Sequence, residues 1–125
     1  SEQFKLIGSE INQAVLEVLA SGRYIGGAAI ENFETAFAQY IGSEIAIACN
    51  SGTDALFLAL RALNIGAGDE VITTPFTFIA TAETISAVGA TPVFIDIDPK
   101  TFNFDLNQIE SAITEKTKAI VPVHL

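Results

Sequence analysis

The sequence predicts an α/β fold, a mostly parallel sheet with helices on both faces. Three observations carry the prediction. Short continuous apolar runs recur along the chain, as strands buried on both faces require. Between them lie segments whose apolar residues repeat at three and four positions, the helical spacing. Clusters of Gly, Pro and Asp separate the two kinds of segment, so strands and helices alternate.

The elements follow in order. Ile7, Ile11, Ala14, Val15, Val18 and Leu19 mark a first helix that ends near Ser21-Gly22. Ile30, Phe33, Phe37, Tyr40 and Ile41 mark a second, stopped by Gly42. Glu44–Cys49 is a short apolar run and is expected to be a strand. Thr53–Leu63 is apolar almost all round, so a helix buried on most sides is expected, ended by Gly66 and Gly68. Regular alternation then sets in: strand Glu70–Thr73, helix Phe78–Val88, strand Pro92–Asp96, helix Leu106–Ile113 and strand Ala119–Val123. Asp105 and Gln108 stand at capping-box spacing before the last helix. The chain stops at Val123-His124-Leu125 with no helix to cover the final strand, and the sequence is expected to be the front part of a longer protein.

Composition narrows the function. Charged residues are 17% of the chain, against about 25% in an ordinary soluble domain, and hydrophobic residues are 50%. That much apolar surface argues against intrinsic disorder. A net charge of −9 argues against a nucleic-acid partner, which selects a basic face. The one cysteine cannot form an internal disulfide, and no basic segment precedes an apolar one at the start, so a cytoplasmic protein is expected. Val71–Ile95 carries a single charge, Glu83, yet Pro75, Gly89, Pro92 and many Thr interrupt it, so no membrane span is expected.

In open α/β sheets, ligands bind beyond the carboxyl ends of the strands. Two segments there could do chemistry. Asn50-Ser51-Gly52-Thr53-Asp54 runs from an expected strand into a helix. Its first amides lack helical partners, Gly52 allows close approach, and the hydroxyls of Ser51 and Thr53 add donors, which makes a cup for a phosphate without a lysine. The same residues also fit an ordinary helix cap, Ser51 with Asp54 three positions on. Thr74-Pro75-Phe76-Thr77-Phe78 places two aromatic rings at a strand-to-helix turn. They could meet a planar ligand, or pack in the core as Phe usually does. Gly66-Ala67-Gly68 opens no helix and is no dinucleotide fingerprint. Asp96 and Asp98 are expected to shape the turn at Pro99. His124 and Cys49, the single residues of their kinds, do not make a metal site.

Together these segments resemble one family. Ser21-Gly22-Arg23-Tyr24-Ile25-Gly26-Gly27 precedes Ile30-Glu31-Asn32-Phe33-Glu34. Then come Ser51-Gly52-Thr53-Asp54-Ala55-Leu56, Gly66-Ala67-Gly68-Asp69-Glu70-Val71-Ile72-Thr73 and Phe76-Thr77-Phe78-Ile79-Ala80-Thr81. Gly89–Asp98 and Val121-Pro122-Val123-His124 complete the series. Their order and spacing resemble the N-terminal part of the DegT/DnrJ/EryC1/StrS sugar aminotransferases, over nearly the whole chain. The resemblance is looser at Ala28, where the family usually has Pro.

The resemblance implies a fold type I large domain that depends on pyridoxal 5'-phosphate. Residues 1–125 would be an N-terminal segment and part of the cofactor-binding large domain, the rest of it and a C-terminal domain being absent. It implies transfer of an amino group from an amino acid donor to a keto-sugar, expected to be nucleotide-linked, in a homodimer. The turn matching Gly52 and Thr53, with Ser51, would hold the cofactor phosphate, and the ring matching Phe78 would stack on the pyridine. It also implies that the Schiff-base lysine and the acid paired with the pyridine nitrogen lie beyond this chain. Lys5, Lys100, Lys116 and Lys118 match no catalytic position, so no catalytic residue is assigned and the chain alone is expected to be inactive. Two alternatives stay open: a sugar dehydratase of the same family, or a non-catalytic regulatory or interaction fragment.

Overall fold

Two helices make up the first of two units, Ser1–Ala48, in a computed structural model that describes every residue from Ser1 to Leu125. Helix α1 spans Glu2–Ser21 and α2 spans Ala28–Ile41. The Ser1 side chain caps α1 by accepting from the Phe4 amide at 3.3 Å. Both helices end where glycine takes up a left-handed backbone, Gly22 at φ 67° and Gly42 at φ 72°, a conformation that costs glycine little. Phe33 and Phe37, one turn apart on α2, stack with centroids 5.6 Å apart.

The strand expected at Glu44–Cys49 does not form. A strand needs a neighbour for its amides and carbonyls, and no segment of the chain pairs with this one. The Ala48 amide donates instead to the Glu34 carboxylate at 2.7 Å.

The second unit, Cys49–Leu125, contains the α/β alternation. It runs α3 (Gly52–Ala62), β1 (Glu70–Thr73), α4 (Ala80–Ala87), β2 (Thr91–Phe94), α5 (Leu106–Ala112) and β3 (Thr117–Ile120). The sheet is parallel with order β2-β1-β3. Register pairs Val71 with Pro92 and with Ala119, and the Val121 amide extends the ladder by donating to the Ile72 carbonyl at 2.8 Å.

Alternation along the central strand builds two cores. Val71 faces Leu60, Ile65, Ile85, Val88 and Ala90 on the α3–α4 side. Ile72 faces Ile95 and Phe104, with Ile109 and Ala112 of α5 packed against them. Helices therefore cover both faces, as expected. Val71, Ile72 and Ile85 are wholly buried, each contributing roughly 1.5–3 kcal/mol of hydrophobic stabilisation.

The capping box expected before α5 forms only in part. The Asp105 carboxylate accepts from the Asn107 amide at 3.0 Å and the Gln108 side chain at 2.9 Å. The Asp105 amide is taken by the Asp96 carbonyl, so Gln108 has no backbone donor there to cap. Its other end accepts from the Asp96 amide at 3.1 Å and ties the end of β2 to α5.

Candidate functional site

The connection from β1 to β2 carries α4 on one face, and that from β2 to β3 carries α5 on the other. The chain thus changes direction at β1, and the carboxyl edge beside it is a topological switch point. The second half of α3 packs near the start of β1, through Leu60 and Ile65 against Val71. The start of α3 lies about two turns before this contact. The carboxyl edge carries the β1–α4 turn, the loop after β2 and Val121–Leu125.

Ser51 holds an extended backbone at φ −157°, ψ 159°, and its Oγ accepts from the Asp54 amide at 3.0 Å. Its carbonyl accepts from the Ala55 amide at 3.0 Å. Ser51 is thus the helix cap that the plainer reading of this segment expects. The amides of Gly52 and Thr53 have no acceptor in the chain, and neither has the Thr53 hydroxyl. A Cβ on Gly52 would meet nothing within 4 Å, so the space on that side of Gly52 is open. An anionic group fits the donor set: two amides and a hydroxyl without acceptors in the chain, at the positive end of α3. Asp54 in the same turn adds a like charge, so the attraction comes from directed donors and not from net charge.

The β1–α4 turn is held by its hydroxyls. Thr74 Oγ1 accepts from the Phe76 amide at 3.2 Å, and the Thr77 and Thr81 hydroxyls share a hydrogen bond of 2.9 Å. The Thr77 amide donates to the Pro75 carbonyl at 3.1 Å. Within this chain Phe78 stays out of both cores and is 75% exposed. Phe76 stacks on Phe102 from the loop after β2, with centroids 5.7 Å apart and planes 28° apart.

Asp98 shapes its turn as expected. Its Oδ1 accepts from the Lys100 and Thr101 amides at 2.8 and 2.9 Å. Those bonds, Thr101 foremost, hold its carboxyl below the ordinary value of 3.8. Asp96 accepts from the next amide, that of Ile97, at 2.8 Å. His124 lies exposed beyond β3. Lys116 and Lys118 flank Thr117 at the start of β3, on the amino edge of the sheet, and Lys5 pairs with Glu2 on α1.

Sequence reasoning missed Phe102. It lies in the left-handed region at φ 59°, rare for a bulky residue, and no local signal announces that conformation for Phe. The Asp98-Pro99 turn signal marked the loop but not the ring it carries.

The model of the DegT/DnrJ/EryC1/StrS aminotransferase family matches residues 5–125. The chain belongs to this family. It is similar to a protein of Geobacillus stearothermophilus named pleiotropic regulatory protein, 51% identical over all of this chain and 34% of that protein. It is also similar to the UDP-2-acetamido-2-deoxy-3-oxo-D-glucuronate aminotransferase of Pseudomonas aeruginosa, at 47% identity over 95% of this chain and 33% of the relative. Among solved structures, NtdA from Bacillus subtilis with bound cofactor PMP matches with a TM-score of 0.88. There the identity is 42%, over 94% of this chain and 27% of that one. The chain spans about a third of the length of the curated relatives it matches. In this DegT/DnrJ/EryC1/StrS family member, Ser51, Gly52, Thr53 and Phe78 all belong to the second unit. No helix is long and apolar enough to cross a membrane.

Proposed function

We propose that the chain is the cofactor-seating part of an aminotransferase that uses pyridoxal 5'-phosphate to aminate a nucleotide-linked keto-sugar at the expense of an amino acid. The observation that carries this reading is the start of α3, where the Gly52 and Thr53 amides have no acceptor in the chain and the Gly52 side is open. The names of the relatives support the sugar and the amino transfer, and the PMP bound to NtdA supports the cofactor.

In this reading Gly52 and Thr53 donate their amides, and Ser51 and Thr53 their hydroxyls, to the phosphate. Ser51 can donate while its oxygen caps the helix, because a hydroxyl donates and accepts at once. Phe78 offers a ring face to the pyridine and limits its tilt. Pyridoxal phosphate, when bound, supplies an electrophilic carbon and an electron-withdrawing ring on which an amino group can be exchanged. This chain's own contribution is binding and orientation, and no proton-transferring residue is assigned within it. We further propose that the whole protein is a cytoplasmic homodimer. Apolar side chains exposed along α1, Leu6, Val15, Leu16 and Leu19 among them, support association, and the exposed free thiol of Cys49 suits a reducing compartment.

The test is to incubate the whole protein with pyridoxal phosphate, a panel of amino acids and a panel of nucleotide-linked keto-sugars, and to follow products by mass. Gain of an amino group by the sugar supports the proposal. Loss of water without amination supports a dehydratase instead. No conversion, with the cofactor unbound, supports the regulatory role that the name of the Geobacillus relative suggests.

A further inference from the structure

The Phe76–Phe102 stack carries an inference of its own. Phe102 sits at φ 59°, a backbone that glycine adopts freely and a bulky residue adopts only where its surroundings hold it. The surroundings do hold it. The Phe102 amide donates to the Asp98 carbonyl at 2.8 Å, and the Asp98 amide donates to the Asn103 carbonyl at 2.8 Å. The Asp98 carboxylate gathers the Lys100 and Thr101 amides. Ile97 pairs with Phe104 in an antiparallel bridge, and Phe104 is buried against Ile72 and Ile95. The loop thus has a fixed base, and the strained residue projects from it.

Glycine would make this turn without strain, but it would bring no ring. The ring of Phe102 makes one aromatic contact, with Phe76. Phe76 stands two residues before Phe78, in a turn otherwise held by the short hydroxyl bonds of Thr74 and Thr77. Phe78 itself has no packing partner in either core, so its placement follows the backbone of that turn. A rigid loop, a ring contact and a ring that depends on its backbone form one mechanical chain.

We propose that the Phe76–Phe102 stack braces the β1–α4 turn and sets the angle of the Phe78 ring, which makes Phe102 a positioning residue for the cofactor site. The proposal rests on the reading of Phe78 as the ring that faces the pyridine. Strain held at Phe102 by a well-bonded loop is the kind of cost that persists where geometry is used.

The test uses the whole protein with Phe102→Leu, Phe102→Tyr, Phe76→Leu and the double variant Phe76→Leu/Phe102→Leu. Leu keeps the left-handed strain and removes the ring, whereas Tyr keeps both. Phe102→Gly removes strain and ring together and serves if the Leu variant does not fold. Amide hydrogen exchange at Thr77 and Thr81, whose amides donate to the Pro75 and Phe78 carbonyls, reads the brace without cofactor. The visible circular dichroism of added pyridoxal phosphate reads the ring angle. Phe102→Leu is expected to raise opening of the turn about 2- to 12-fold, the range for loss of one aromatic pair. The double variant should be no worse than either single one, Tyr should restore protection, and the dichroic band should shrink in step with exchange.

Unchanged exchange in Phe102→Leu, or additive effects in the double variant, would overturn the brace. Faster exchange with an unaltered dichroic band would overturn the link to Phe78. A parent protein that binds no pyridoxal phosphate would overturn the cofactor reading, and the exchange data would still judge the brace by itself.

Discussion

Thr53→Ala separates cofactor binding from folding. The Thr53 hydroxyl makes no hydrogen bond within the chain, so its loss removes no internal contact of that kind. Alanine is at least as good a helix former as threonine, so stability should change by no more than about 0.5 kcal/mol. A bound phosphate, in contrast, loses one hydrogen bond to a charged group, worth about 1.5–3 kcal/mol. Cofactor dissociation should therefore worsen about tenfold to a hundredfold. Thr77→Ala is the mirror image. It breaks the 2.9 Å bond to Thr81 and should cost about 0.5–1.5 kcal/mol of stability, with a smaller effect on retention. The assay pairs denaturant unfolding of each variant with the rate at which pyridoxal phosphate leaves the whole protein after gel filtration. If Thr53→Ala keeps its cofactor as tightly as the parent, the start of α3 is a helix cap and nothing more.

Other outcomes follow from the same geometry. Ser51→Ala should lower stability by about 1 kcal/mol, and Ser51→Gly by a few tenths, as measured by denaturant midpoints. Ile85→Ala, at a wholly buried position between α4 and the sheet, should cost about 2–5 kcal/mol in the same assay. The Asp98 carboxyl is depressed by the amides it accepts, so its contribution to the turn is complete above the ordinary value of 3.8 and lost as pH falls through its lower folded value. The Lys100 and Thr101 amide shifts, followed by NMR, should titrate with a midpoint below 3.8, and a midpoint at or above it contradicts the hydrogen-bond account.

Much of this molecule was legible in its sequence because its strands are short, apolar and separated by strong punctuation. Val71 and Ile72 are adjacent, both apolar, and buried in opposite cores, which is the signature of a strand covered on both faces. The same logic failed at Glu44–Cys49. An apolar run specifies burial, but a strand also needs a neighbouring backbone, and composition carries no information about whether one is present. At the candidate site, Ser51 and Gly52 were readable because helix starts have a small chemical vocabulary. Phe78 was ambiguous, because a Phe at a strand-to-helix turn suits a ligand ring and a core equally. The Phe76–Phe102 contact was invisible, since it joins two loops 26 positions apart through a backbone angle that Phe seldom adopts.

The central claim is that the start of α3 seats the cofactor phosphate. A crystal structure of the whole protein grown with pyridoxal phosphate tests it most directly. The account predicts phosphate oxygens within about 2.7–3.2 Å of the Gly52 and Thr53 amide nitrogens, with the pyridine lying against the Phe78 ring. A phosphate bound elsewhere, with those two amides facing only solvent, contradicts it.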